Sequence, residues 1–215
     1  MFGKKRGALA SLSLTSWIIL VTALFSIVAF FSSSLFSLLA LNVQFVMARP
    51  WTLASHILLH GGFFHLFVNM FSLFFIGSLT ERIIGRKRMF WLYLISGIIG
   101  GIAFVFEGAI AADFILANAP DVYAVGASGA LFGIAGVLLF LTPNLPVYVM
   151  FIPIPIKMKY ALPLMLLALW VLSASAGLPI GNSSHLGGFL AGLAYGFYLK
   201  KKYPRKVGMI NQFFR

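Results

Sequence analysis

A serine and a histidine near the beginnings of two separate apolar segments are the residues of this sequence best suited to chemistry. Ser128 is flanked by Gly126 and Gly129, and His185 lies far downstream in the last apolar segment. Polar and ionisable side chains are costly at membrane depth and usually face a protein interior, where they have a function. If the two side chains meet, the hydroxyl is a nucleophile and the imidazole is its base. The pair would then hydrolyse peptide bonds within a membrane.

The composition indicates a membrane protein. Hydrophobic residues make up 61% of the 215 residues and charged residues only 9%, whereas soluble domains contain roughly half and a quarter. Long apolar segments separated by short polar breaks predict one integral, multi-pass domain over residues 1–215. The chain has no cysteine, so disulfides and cysteine-bound metals are excluded.

The apolar segments predict six membrane-spanning helices and an all-α fold class. The first segment follows Lys4, Lys5 and Arg6. Its apolar run is longer than the roughly 7–15 residues of a signal-peptide core, so we expect a retained helix. The predicted spans are Leu14–Leu41, His65–Thr80, Met89–Phe106, Gly126–Thr142, Tyr160–Ala176 and Ser183–Lys200.

The charges are divided unequally between the two sides that these spans would define. The formal net charge is +12, and every basic residue except Arg49 falls on the side that carries both termini. Glu107, Asp113 and Asp121 fall on the opposite side. This positive-inside pattern predicts cytoplasmic termini, and we expect the cell (plasma) membrane as the location. No basic patch interleaved with aromatic residues accompanies the charge, so nucleic-acid binding is not predicted.

Four polar residues of different spans share one predicted depth. With about 1.5 Å of rise per residue, Ser128 and His65 lie roughly 24 Å from the cytoplasmic ends of their spans. His185 lies at roughly 22 Å and Asn69 at about 18 Å. In a hydrocarbon core about 30 Å thick, these residues form one layer near the outer surface. Independent helices have no reason to share such a layer unless it is a site.

Acyl transfer also needs donors for the developing oxyanion. His65 and Asn69, four residues apart on one helical face, are candidates for this role. The backbone N–H of Ser128, in the first turn of its helix, is a third. No acidic residue falls beside Ser128 and His185, so the sequence predicts a dyad rather than a triad.

Small residues would bring the two reactive helices together. Glycines at four-residue intervals line one helix face and let backbones approach closely. Phe132, one turn below Ser128, would place its ring against the imidazole of His185, and Gly126, Gly129 and Gly188 would pack around the site. The glycines at this interval are Gly129 and Gly133 in the fourth span, and Gly188, Gly192 and Gly196 in the sixth.

A metal site is the alternative suggested by the remaining histidines. His56 and His60 have the spacing of a helical zinc pair, but residue 57 is isoleucine rather than the glutamate of a metalloprotease. No carboxylate or cysteine completes a site with them. The sequence therefore predicts no metal and no cofactor, and we expect His56 and His60 to form hydrogen bonds in a partly buried loop.

The ordered set of motifs resembles the rhomboid family of intramembrane serine proteases. Gly126-Ala127-Ser128-Gly129 is similar to the family's Gly-x-Ser-Gly motif, and His185-Leu186-Gly187-Gly188 to its histidine span. His60 to Asn69, followed by Glu81-Arg82 and Gly85, resembles its second span, so the resemblance extends from Trp51 to Gly196. Two departures are Thr52 after Trp51, where the family often has arginine, and Phe132, where some members have tyrosine.

The resemblance implies a compact six-helix bundle whose fourth span begins below the membrane surface. It implies a water-filled cavity open to the outside and a loop, between the first two spans, that lies partly in the membrane. The fifth span, with Trp170, would be the mobile side at which a substrate helix reaches the site. The expected activity is that of a serine endopeptidase which cleaves transmembrane protein substrates with a Ser128–His185 dyad.

Two other functions are consistent with a polytopic chain. One is a catalytically inactive rhomboid-like protein that binds transmembrane clients. The other is a transporter, whose polar groups would lie nearer the midplane and whose sequence would often show an inverted repeat. We find no such repeat, and the polar layer lies toward one face. The sequence indicates neither the physiological substrate nor the oligomeric state.

Overall fold

The computed structural model describes residues 12–114, 122–149, 153–176 and 180–214, and these residues are mostly helical. The predicted helical fold class is confirmed. Lys4, Lys5, Arg6 and Asp121 lie outside the described residues. The helices are α1 (Leu14–Phe30), α2 (Ser33–Leu39), α3 (Thr52–Ser55), α4 (Phe63–Ser72), α5 (Ser78–Ile84), α6 (Arg86–Phe114), α7 (Ser128–Leu141), α8 (Met158–Ala176), α9 (Asn182–Lys202) and α10 (Pro204–Gln212).

Two short antiparallel strand pairs accompany the helices. β1 (Leu41–Asn42) pairs with β2 (Tyr123–Ala124), and β3 (Pro146–Val147) pairs with β4 (Ile156–Lys157). The first pair matters for the site, because it joins the segment after α2 to the segment that leads into α7. The backbone just before Gly126 is thereby fixed to the N-terminal part of the chain.

The prediction of one unbroken first helix over Leu14–Leu41 is wrong. α1 ends at Phe30, and α2 begins at Ser33. The physical reason is Ser32, whose Oγ accepts a hydrogen bond from the Leu35 N–H at 3.3 Å. A serine in this position caps a new helix, because its hydroxyl replaces a missing backbone acceptor. The exposed Phe31 marks the break between the two helices.

Three segments of the described chain are long and apolar enough to cross a membrane by length and composition. They are Phe63–Ile84, Arg86–Ile110 and Met158–Ala176. The first comprises α4, α5 and the single π-helical stretch Leu73–Gly77 between them. α1, with 17 residues, and α7, with 14 residues, are shorter apolar helices. The six-span count therefore stays a prediction, while a membrane-embedded helical protein is supported.

α7 is the central helix of the fold. Every residue from Gly129 to Leu138 is buried, and α7 packs most extensively against α9 and α6. A helix that is apolar on all faces is stable when it is enclosed by other elements. The helix that begins at Ser128 is therefore held by neighbours on all sides.

The contact between α7 and α9 depends on glycine. A Cβ atom built on Gly188 would overlap the carbonyl oxygen of Gly129, and one built on Gly192 would overlap that of Gly133. The two backbones touch without intervening side chains, which is the close approach that the glycine spacing predicts.

A carboxylate fixes the beginning of α1. Glu81 Oε1 accepts from the Leu14 N–H at 2.9 Å, and Oε2 accepts from the Thr15 N–H at 2.8 Å. The Thr15 hydroxyl also donates to Oε2, at 2.6 Å. The first N–H groups of a helix lack intrahelical acceptors, and negative charge is favourable at this end. Glu81 of α5 therefore ties α1 to the Phe63–Ile84 segment.

We expect Gly192→Ala to destabilise the protein, because the added methyl group must push α9 away from α7. Overpacking of this kind costs about 1–3 kcal/mol, and a thermal melt of the purified protein in detergent measures it. Gly208→Ala is the matched control, since this glycine of α10 has no atom within 4 Å of an added Cβ. Equal melting temperatures for Gly192→Ala and Gly208→Ala would contradict the proposed role of the glycine contact in stability.

Candidate active site

The centre of the site is a contact between Ser128 and His185. Ser128 is the first residue of α7, and its Oγ lies 2.8 Å from Nε2 of His185, near the beginning of α9. The imidazole is 8% exposed. A hydroxyl within hydrogen-bond reach of an imidazole nitrogen is the arrangement in which the imidazole can remove its proton. Residues 57 positions apart in the chain are thus brought together by the α7–α9 contact.

The backbone before Ser128 requires glycine. Gly126 has φ +127°, a conformation that other residues rarely adopt. Its N–H donates to the His56 carbonyl at 3.0 Å. A Cβ at Gly126 would lie only 2.9 Å from Cε1 of His65. Gly126 therefore lets the chain turn into α7 while the His65 ring remains beside it.

The side chain of His60 also holds the turn that precedes Ser128. The Ser26 hydroxyl donates to the Leu58 carbonyl at 2.9 Å, so it must accept from His60 Nδ1, which lies 3.0 Å away. Nε2 of His60 is then unprotonated, and it accepts from the Ala127 N–H at 3.4 Å. The expected hydrogen bonding of His60 is confirmed. Its link to the turn before Ser128, and Ser26 as its partner, were not predicted.

The surroundings of His185 contain a ring but no described acid. The Phe132 ring centroid lies 4.7 Å from that of His185, at an interplanar angle of 32°. Nδ1 of His185 is buried and has no hydrogen-bond partner among the described residues. Glu81 bonds α1, and Glu107 is exposed. A serine–histidine pair without a third member fits this geometry.

His65 and Asn69 lie on α4, and the ring of His65 lies next to Gly126. Nδ1 of His65 accepts from the Gly61 N–H at 3.3 Å, so its hydrogen is on Nε2. A Cβ at Gly126 would lie 3.1 Å from that Nε2. Nδ2 of Asn69 donates one hydrogen to the His65 carbonyl at 2.9 Å, and its second hydrogen is available to another acceptor. His65 therefore presents an N–H beside Gly126, two residues before Ser128. Asn69 lies one turn further along α4, and its Oδ1 is buried without a hydrogen-bond partner among the described residues.

The loop between α2 and α4 is anchored by Trp51 and by residues on either side of it, including Thr52, which stands where the resemblance leads one to expect arginine. Trp51 Nε1 donates to the Leu38 carbonyl at 3.0 Å, and an Arg49 guanidinium N–H donates to the Ser37 carbonyl at 2.9 Å. The Thr52 hydroxyl donates to the Arg49 carbonyl at 2.7 Å. Arg49, two residues before Trp51, thus joins Trp51 in contacting α2.

The described residues contain no cluster of three or more histidine, cysteine, aspartate or glutamate side chains that could hold a metal ion. His56 is buried, and its Nδ1 donates to the Thr52 carbonyl at 2.9 Å. The hydrogen bond expected for this histidine is therefore confirmed.

Comparison with known proteins agrees with the motifs. A family model described as the Rhomboid domain matches residues 47–202. "RHOMBOID-like protein 5" of Arabidopsis thaliana is 40% identical over 152 residues, which are 69% of this chain and 44% of the plant protein. "Putative rhomboid protease YdcA" of Bacillus subtilis is 32% identical over 166 residues, covering 77% of this chain and 75% of that protein.

A third relative bears a mitochondrial name. "Rhomboid protein 1, mitochondrial" of Saccharomyces cerevisiae is 30% identical over 145 residues, which are 66% of this chain and 40% of the yeast protein. The chain thus spans less than half the length of the plant and yeast relatives, and three quarters of the Bacillus protein. With a family model matched over most of its length, this integral membrane protein belongs to the rhomboid family.

Proposed function

We propose that this protein is an intramembrane serine endopeptidase that cleaves transmembrane protein substrates with Ser128 and His185. The observation that carries the proposal is the 2.8 Å contact between Ser128 Oγ and His185 Nε2, partly buried at the beginning of two packed helices. Membership of the rhomboid family supports the same activity. A catalytically inactive client-binding protein would have no need of this contact.

In the proposed reaction, Ser128 Oγ attacks the carbonyl carbon of the scissile bond while His185 Nε2 accepts the hydroxyl proton. The oxyanion would accept hydrogen bonds from the Ser128 N–H, His65 Nε2–H and Asn69 Nδ2–H. The protonated His185 then gives its proton to the leaving amine as the C–N bond breaks, which leaves an acyl ester on Ser128. In the second half, His185 removes a proton from water, whose oxygen attacks the ester carbon. His185 then returns that proton to Ser128 Oγ as the C–O bond breaks and the carboxylic acid leaves.

The membrane setting of this chemistry is part of the proposal. We infer a bundle of six membrane helices with cytoplasmic termini, supported by the unequal distribution of basic residues. The cell membrane is the proposed location. The yeast relative, by contrast, bears a name that places it in mitochondria. Water would reach the site from the outer side, since hydrolysis consumes it.

α8 is the proposed side of substrate access. Its buried residues, Met158, Ala161 and Leu162, all lie in its first two turns. The remainder, including Trp170, has few contacts with the bundle and is largely exposed. A substrate helix protects its own carbonyls by hydrogen bonding, so it must unwind before attack. Substrates should therefore carry helix-weakening residues near the outer end of a span and a small residue before the scissile bond.

Ser128→Ala should abolish cleavage of a single-span substrate and labelling by a fluorophosphonate probe, because both need the activated hydroxyl. Folding should be retained, since one small residue replaces another. Ser34→Ala is the matched control, because this exposed serine lies on α2, outside both the proposed site and the proposed access helix. An unlabelled wild type would favour an inactive client-binding protein, and labelling of Ser128→Ala would exclude Ser128 as the nucleophile.

His185→Ala should lose nearly all activity, and combining it with Ser128→Ala should cost little more. Members of a catalytic unit act together, so their losses are far from additive. Turnover of the two single variants and the double variant measures this, with EDTA-treated wild type as a control for metal dependence. Additive losses would show that the residues act separately, and inhibition by EDTA would favour a metal mechanism.

Asn69→Ala and His65→Ala should each lower turnover more than they change the Michaelis constant. The loss of one oxyanion donor costs on the order of 100- to 1,000-fold. Because three donors would share the oxyanion, we expect roughly tenfold or more for Asn69→Ala. Substrate binding should change little, since the charge develops only in the transition state.

Turnover, Michaelis constant and a thermal melt in detergent test these two variants together. Asn211→Ala, the same change in the peripheral helix α10, controls for a general effect of losing an amide. If activity falls only in proportion to the folded fraction, His65 and Asn69 are structural residues and the oxyanion assignment is wrong.

A further inference from the structure

A groove between α6 and α9 opens at the end of the bundle where the basic residues cluster. Its cavity volume is 390 Å³. Lys87 and Arg88, both exposed, lie at its mouth in the first turn of α6. Its walls are mainly apolar, formed by Trp91, Leu92, Ile95 and Ser96 of α6 and by Ala191 and Tyr195 of α9.

The mouth of the groove carries a concentration of positive charge. Arg88 donates to the Tyr203 hydroxyl at 3.0 Å, and its guanidinium carbon lies 5.2 Å from the centroid of that ring. The ammonium groups of Lys202 and Lys206 each lie 5.8 Å from the same centroid. Three cations therefore surround one tyrosine, and one of them, Arg88, lines the groove together with Lys87. Like charges so close together repel one another, and an anion placed among them would remove this cost.

No acidic residue lines the groove to supply that anion. Glu81 is the acid nearest in sequence, but its oxygens bond the Leu14 and Thr15 N–H groups, and its charge acts on Arg86. The N-terminal end of α6 adds a partial positive charge of its own. The first turn of α6 contains no acidic residue that would offset this charge.

The shape and the charge together define the occupant. We propose that the groove binds one anionic phospholipid, with its phosphate at Lys87 and Arg88 and an acyl chain along Trp91, Ile95 and Ala191. Basic pockets between membrane helices bind anionic head groups in this way. From Lys87 to Ile95 the helix rises about 12 Å, most of the roughly 15 Å that the chains of one leaflet occupy. A free phosphate ion would use only the mouth.

Thermal melts of the full chain in detergent, with native mass spectrometry, test this site. The probes are dioleoyl phosphatidylglycerol, dioleoyl phosphatidylcholine and inorganic phosphate, each titrated alone. We expect saturable stabilisation and one retained lipid with phosphatidylglycerol, and much weaker effects with the other two. Equal effects of both lipids would overturn the charge selectivity, and equal stabilisation by phosphate would reduce the groove to a small-anion site.

Two pairs of substitutions locate the binding. Lys87→Gln with Arg88→Gln should weaken phosphatidylglycerol binding roughly 30-fold, because each cation near an anionic lipid contributes about fivefold. Lys200→Gln with Lys201→Gln removes the same charge elsewhere, since Lys200 lies over the Phe140 ring. This control should bind within about twofold of wild type. Equal losses in the two double variants would mean diffuse attraction to the surface and would overturn the proposal.

Ala191→Phe tests the apolar half without any change of charge. The larger ring should fill the groove and weaken lipid retention, while the melting temperature without lipid stays near that of wild type. Undiminished retention by a folded Ala191→Phe variant would show that no acyl chain lies there, and would overturn the proposal. If this variant does not fold, the comparison of the two charge pairs decides, because all four of those side chains are exposed.

Discussion

The direct backbone contact between α7 and α9 is the constraint on which the rest of the structure depends. Gly129 and Gly133 of one helix lie against Gly188 and Gly192 of the other, with no room for a methyl group between them. Close packing rather than a hydrophobic driving force holds helices together in lipid, so small residues determine which pairs form. Because Ser128 directly precedes Gly129 and His185 lies one turn before Gly188, the same contact sets the distance between hydroxyl and imidazole.

The loop side of the site is held by hydrogen bonds in addition to apolar packing. His56, His60 and Ser26 form contacts that end on the N–H groups of Gly126 and Ala127. Buried polar groups are costly unless they are paired, and a fully paired network admits few alternative arrangements. The orientation of the first turn of α7 is therefore tied to α1 and to the loop before α4, regions far from it in sequence.

The sequence predicted that Ser128 and His185 would meet because ionisable side chains are rare in this chain, and because polar residues of separate spans agreed in predicted depth. Helices lie at the second to sixth predicted spans, with bounds a few residues from those predicted, except that α6 continues past the predicted Phe106 to Phe114. The break after Phe30 was not predicted, because the apolar run continues through Ser32. A hydropathy pattern does not detect a serine that caps a new helix.

Hydrogen bonds between distant segments could not be predicted from the sequence either. Glu81 was placed at the end of its span, but nothing in the spacing indicated that it would bind the first N–H groups of α1. In the sequence, Ser26 is one small residue among others in an apolar helix. In the structure, its hydroxyl determines which nitrogen of His60 carries the hydrogen. Hydrogen-bond partners of this kind depend on which helices become neighbours, and periodicity within one helix carries no information about that.

The length of α7 has a consequence for the surrounding lipid. Its 14 residues rise about 21 Å, roughly 9 Å less than the hydrocarbon thickness of a typical bilayer. A helix this short that faced lipid would suffer hydrophobic mismatch and force the bilayer to thin around it. Since α6 and α9 enclose α7, the longer outer helices meet the lipid in its place. The shortfall is thereby confined to the protein interior, where it does not deform the membrane.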